Sequence, residues 1–135
     1  MPAALHILAA EDNTTNQLIL RALLDVLGVS VEIVDNGQAA VAAAAASHFD
    51  LVLMNIQMPI MDGVSAVRAI RDHERALGRP GAPILAVTAN VMSDQVADYL
   101  AAGMDGCVAK PLLLESLARA IESVFEQRPV SVDTA

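Results

Sequence analysis

The sequence predicts an α/β fold: a doubly wound, flavodoxin-like (βα)5 sandwich whose five-stranded parallel sheet runs in the order 2-1-3-4-5. Three observations predict it. Five short apolar runs alternate with five stretches of helical periodicity. The central run, Leu51-Val52-Leu53-Met54, has no polar alternation, as a strand buried on both faces requires. Four of the five runs stop abruptly at a polar residue, and parallel strands bring those stops to one edge of the sheet.

Residues 5–10 (LHILAA) read as strand one, ended by Glu11-Asp12. Asn13 and Thr14 are candidate caps for helix one, in which Leu20, Leu23, Leu24 and Leu27 make one apolar stripe and Gly28 is the stop. Residues 29–34 alternate and are β-branched, so they are strand two. Asp35, with Gln38 three residues on, comes close to a capping box for helix two, which runs through the alanines to about Ser47. Residues 51–54 are strand three, stopped by Asn55, and Asp62-Gly63 opens helix three with Val64, Val67 and Ile70 on one side. Residues 78–83 (GRPGAP) are a breaker-rich loop. Residues 84–87 are strand four, stopped by Thr88. Helix four spans roughly residues 92–102 with Val96 and Leu100 facing inward, and Gly103 ends it. Residues 106–109 are strand five, stopped by Lys110-Pro111. Helix five carries Leu114, Leu117, Ala118, Ile121, Val124 and Phe125 on one face. Residues 1–127 therefore read as one domain and 128–135 as a tail or the start of a linker.

Composition narrows the function classes. A chain of 135 residues, 55% of them apolar, has room for a single core, which must be aliphatic because only 2% of residues are aromatic. The net charge of −8 argues against a nucleic-acid surface and suits a metal cation or a basic partner. A single cysteine, Cys107, excludes an internal disulfide. Neither a membrane span nor a signal peptide is legible, so the expected location is cytoplasmic, without membrane contact by this domain.

The strand stops assemble a chemical set: the carboxylates of Glu11 and Asp12, the amide of Asn55, the hydroxyl of Thr88 and the ammonium of Lys110. Two carboxylates beside an amide oxygen suit Mg²⁺, a hard cation that takes oxygen ligands. A hydroxyl donor and a point positive charge suit a phosphoryl group, with backbone N–H groups after Asn55 and Thr88, at Gln57 and Ala89, as further donors. The set describes phosphoryl transfer by positioning and charge neutralisation, but it lacks a nucleophile. A carboxylate at position 55 could attack a phosphoryl donor; the Asn55 amide is far less nucleophilic.

The segments AAEDNTTNQLIL, DNGQAA, FDLVLMNIQMPIMDG, PILAVTAN and GMDGCVAKPL resemble the receiver domains of two-component response regulators, most closely those of hybrid histidine kinases. The resemblance implies that Glu11 and Asp12 hold Mg²⁺ with the Gln57 carbonyl, and that Thr88 and Lys110 contact the phosphoryl group. It also implies that the Lys110-Pro111 bond is cis. Asn13 and Asn16 then lie where a histidine kinase or histidine phosphotransfer protein docks. Such modules accept a phosphoryl group from a histidine, and this one is not expected to be an enzyme. Two residues depart from the pattern. Asn55 stands where the family has its phospho-accepting aspartate, and Cys107 where it usually has an aromatic residue. Asn55 is expected to prevent phosphorylation and to weaken Mg²⁺ binding. It is either an Asp→Asn change that freezes the unphosphorylated form or a natural residue of a pseudo-receiver, an interaction domain that works without phosphorylation. A flavin or nucleotide binder is disfavoured, because EDNTTN after strand one contains no glycine and is acidic.

Of the remaining singular residues, His6, His48 and His73 are scattered and read as structural, and Cys107 as a small buried hydrophobe. Met54, Met58, Met61, Met92 and Met104 read as packing. Tyr99 reads equally as part of an exchange surface or as a half-buried structural residue.

Overall fold

A computed structural model describes residues 5–89 and 93–127. Five strands, β1 (His6–Ala10), β2 (Ser30–Val34), β3 (Leu51–Asn55), β4 (Ile84–Thr88) and β5 (Gly106–Ala109), alternate with five helices. The helices are α1 (Thr14–Val26), α2 (Gly37–Ala46), α3 (Gly63–Leu77), α4 (Ser93–Ala102) and α5 (Leu114–Gln127). All strand pairs are parallel and the order is β2-β1-β3-β4-β5, as the sequence predicts. β1 and β3 are neighbours at the centre, so the crossover reverses direction there and leaves a crevice beyond their carboxyl ends.

The strand periodicity divides the core in two. On one face Ile7, Ala9, Leu51, Leu53, Leu85 and Val87 pack against Leu20 and Leu24 of α1 and Leu117, Ile121 and Val124 of α5. On the other, Leu8, Val52, Met54, Ile84 and Ala86 meet Ala40 of α2, Ala66, Val67 and Ile70 of α3, and Tyr99 of α4. β3 and β4 are buried along their whole length, which explains their unbroken apolar sequence. β2 is an edge strand, half-buried and exposed by turns.

Several local expectations change. Asn55 and Thr88 are the last residues of β3 and β4 rather than the first beyond them. Helix α2 is capped by Asn36, not Asp35: Asn36 Oδ1 accepts from the Ala39 N–H at 2.7 Å, and Asp35 instead accepts from the Asn36 amide. An amide oxygen one residue nearer reaches the third N–H of the helix, and the capping box is not used. Leu100 and Leu114 are 49% and 38% exposed, so neither is a core residue. Tyr99, adjacent to Leu100 on α4, takes the inward position and is 4% exposed. The predicted helix start at Met92 and the tail 128–135 lie outside the described residues.

Candidate functional site

The carboxyl edge of the sheet gathers the predicted polar residues into one crevice of about 250 Å³, lined by Glu11, Asp12, Asn13, Asn16, Asn55, Gln57, Thr88, Ala89 and Lys110. A larger hollow of about 620 Å³ lies at the other end of β3 and is mainly apolar, lined by residues such as Phe49, Val52, Ile70 and Pro83. Its polar side chains are engaged in the scaffold: Glu74 accepts from the Ala82 N–H, and Arg79 reaches the Ala44 and Ala45 carbonyls. Convergent charge therefore assigns the chemistry to the smaller crevice.

The acids enter from the end of β1. The Glu11 N–H bonds the Val34 carbonyl at 2.9 Å, and Glu11 is 3% exposed. Its Oε2 accepts from the Asn13 N–H at 3.1 Å, and its carbonyl accepts from the Gln17 amide at 2.6 Å. Asn13 caps α1, with Oδ1 accepting from the Asn16 N–H at 2.9 Å. The loop that presents the acids is thus tied to the first turn of α1, and the two asparagines of the predicted docking rim help to tie it.

Asn55 is the centre of the site. It is 3% exposed, and its two ends face opposite charges. Nδ2 donates to Asp12 Oδ1 at 3.0 Å, to the Gln57 carbonyl at 3.1 Å and to Glu11 Oε2 at 3.4 Å. Oδ1 accepts from Lys110 Nζ at 2.7 Å, and that ammonium also lies 3.6 Å from Glu11 Oε1. The Ile56 N–H is engaged by the Val87 carbonyl, which leaves Gln57 and Ala89 as the candidate backbone donors at the rim. The Lys110-Pro111 peptide is cis, as the resemblance implies.

A divalent cation can be tested against this geometry. Mg²⁺ demands oxygen ligands in near-octahedral array. A carboxylate oxygen of Asp12, one of Glu11 and the Gln57 carbonyl converge on one point, and they are suitable donors. The atom at that point is Asn55 Nδ2. The oxygens fit the ion, while the carboxamide presents a hydrogen-bond donor toward them.

A family model described as the response regulator receiver domain matches residues 7–122. The chain belongs to that family. It is 40% identical over 116 residues to the sensor protein GacS of Pseudomonas syringae pv. syringae, covering 86% of this chain and 13% of that protein. It is equally similar, 40% over 116 residues, to the histidine-protein kinase BarA of Shigella flexneri, covering 84% of this chain and 12% of the relative. The chain therefore spans about one eighth of the length of these kinases. Among solved structures it resembles the receiver domain of sensor histidine kinase PA1611 from Pseudomonas aeruginosa PAO1, which holds a magnesium ion in its active site cleft. That match has a TM-score of 0.80 at 36% identity and covers 91% of this chain and 98% of that one. It also resembles the Ssk1 receiver domain of Saccharomyces cerevisiae, crystallised with the histidine phosphotransfer protein Ypd1, with a TM-score of 0.87 at 27% identity, covering 95% and 93%. Among the described residues, no helix of this receiver domain is long and apolar enough to cross a membrane.

Sequence reasoning left one site residue undecided. Tyr99 comes from α4, and its phenol oxygen lies 3.2 Å from Thr88 Oγ1. Tyr99 belongs to the core cluster on which Cys107 also packs. Cys107 is half-buried rather than fully buried, and burial pushes its thiol pKa up. The receiver domain thus has a small side chain on β5 and a buried tyrosine on α4 reaching the hydroxyl at the end of β4. No spacing signal singles it out, because Tyr99 and Leu100 follow Val96 by three and four residues and both spacings keep to one helix face. Thr88→Val and Tyr99→Phe are each expected to cost about 1 kcal/mol in urea titrations. The double variant should cost little more than either alone; full additivity would show that the two oxygens do not interact.

Proposed function

We propose that this domain is a phosphorelay receiver module whose chemical step is blocked at position 55. The observation that carries the reading is the bridging of Asn55 between Lys110 on one side and Asp12, Glu11 and the Gln57 carbonyl on the other. A group at that place faces the phosphoryl site formed by Thr88, the backbone at Ala89, and Lys110. With a carboxylate there, an oxygen could attack the phosphorus of a phosphohistidine in line, forming an acyl phosphate as the P–N bond breaks and the imidazole leaves. The carboxamide has no such nucleophile, and its oxygen is already engaged by Lys110.

Mg²⁺ would be held by the Glu11 and Asp12 carboxylates and the Gln57 carbonyl; it supplies neutralisation of the phosphoryl oxygens. The magnesium-bound relative supports this assignment. Binding here is weaker than in an aspartate form, because the neutral amide removes one of three negative charges around the ion. The partner is a histidine kinase or a histidine phosphotransfer protein, and the Ssk1–Ypd1 complex supports that class. Asn13 and Asn16, on the crevice rim, belong to the docking surface. It is a phospho-acceptor type of module with its acceptor position substituted, rather than an enzyme that turns over a substrate, and it works in the cytoplasm.

A second reading, an interaction domain independent of phosphorylation, is favoured by the complete hydrogen bonding of the Asn55 amide. Intact mass after incubation with Mg²⁺ and acetyl phosphate separates the two. Asn55→Asp is expected to gain one phosphoryl group and the present protein none. If Asn55→Asp binds Mg²⁺ yet gains nothing, the interaction-domain reading replaces the receiver reading.

A further inference from the structure

We infer that the Asn55 carboxamide occupies the cation position itself, its nitrogen standing in for the ion, so that it competes with Mg²⁺ rather than serving as a weak ligand. The inference deepens the proposed function and rests on its reading of the crevice as a cation site.

Lys110 sets the polarity of the amide. An ammonium has three donors and no acceptor, so the group 2.7 Å from Lys110 Nζ has to be the carboxamide oxygen. The nitrogen is thereby turned toward the acids. Its two hydrogens meet three acceptors, Asp12 Oδ1, the Gln57 carbonyl and Glu11 Oε2, at 3.0–3.4 Å. These are the oxygens that a divalent ion would need. Turning the amide over would offer its oxygen to an ion, but would set Nδ2 against Lys110 Nζ, donor against donor. Either orientation opposes the cation. A bound ion must displace the amide from two carboxylates, and hydrogen bonds to charged groups are the stronger kind.

Loss of charge and occupation of the site make opposite predictions for a neutral truncation. Asn55→Ala keeps the charge of the site and keeps Lys110, so both terms cancel in the comparison. It removes a nominal oxygen ligand and also removes the competing nitrogen. If the amide is only a poor ligand, Asn55→Ala binds Mg²⁺ equally or more weakly. If the amide occupies the site, Asn55→Ala binds more tightly, by about tenfold for the loss of hydrogen bonds to two carboxylates.

The experiment is calorimetric titration with MgCl₂ of the present protein, Asn55→Ala, Asn55→Ser and Asn55→Asp, each checked for folding by circular dichroism. Tighter binding by Asn55→Ala, or by Asn55→Ser should the alanine variant not fold, supports the inference. Equal or weaker binding by both neutral variants, with strong binding by Asn55→Asp, overturns it and leaves the cation site standing. Absence of binding by Asn55→Asp as well overturns the cation-site reading and this inference with it.

Discussion

In EDTA, Asn55→Asp is expected to melt about 10 °C below the present protein, and millimolar Mg²⁺ to recover most of that difference. The substitution changes few atoms and reverses the electrostatics of the crevice. At present one nitrogen donates toward Asp12, Glu11 and the Gln57 carbonyl. In the aspartate form an oxygen with no proton takes its place, 3.0 Å from one carboxylate oxygen and 3.4 Å from another. Lys110 neutralises only the far side. An uncompensated charge at a site only 3% exposed costs roughly 2–4 kcal/mol. A divalent ion restores the missing attraction and contributes stability in proportion to its saturation. The measurement is thermal unfolding at matched pH with and without Mg²⁺. Identical melting temperatures in EDTA would show that the amide contributes nothing to stability.

Gly63→Ala is expected to cost about 3 kcal/mol, against about 1–2 kcal/mol for Gly78→Ala. Gly63 is the first residue of α3, and its N–H bonds the Ile56 carbonyl at 2.8 Å. A Cβ there would collide with the Asn55 carbonyl oxygen and lie 2.9 Å from Ile56 Cα. Both are backbone atoms, so the clash is relieved only by moving α3 away from the end of β3. That displacement also shifts the loop carrying Gln57, and with it the geometry around Asn55. Gly78 has φ +66° and nothing within 4 Å of an added Cβ, so its alanine variant tests backbone conformation alone. Chemical denaturation of the two variants compares the effects; equal costs would mean that α3 and β3 can separate without loss.

The strands were legible because burial on both faces leaves an unbroken apolar run, as in β3 and β4. The strand ends Glu11, Asn55, Thr88 and Lys110 were legible for a related reason: a polar residue ending such a run marks where the sheet meets solvent. Parallel pairing then places those residues together without knowledge of any side-chain torsion. Helix faces were less secure. On α4 the choice between Tyr99 and Leu100 turns on a rotation of one residue, which a short helix with one apolar pair does not specify. Hydropathy favours Leu100; packing in the cluster that includes Cys107 and the hydrogen bond with the Thr88 hydroxyl favour Tyr99. The cap of α2 was ambiguous in the same way, because Asp35 and Asn36 are both good caps and only backbone geometry separates them.

The amino-acid sequence by itself determined the order of elements, the sheet topology, the edge at which chemistry gathers and the identity of the groups gathered there. The elements, the edge and its groups follow from periodicity and strand termination, which are local properties of the chain; the strand order follows from the doubly wound class that the alternation implies. Only the tertiary structure decided how those groups satisfy one another. The orientation of the Asn55 amide is set by Lys110, fifty-five positions away in the chain, and its nitrogen is received by acids from β1, forty-three and forty-four positions away. No local pattern encodes the direction of a carboxamide. It follows from placing an obligate donor on one side and obligate acceptors on the other, and that placement exists only once β1, β3 and β5 share one sheet.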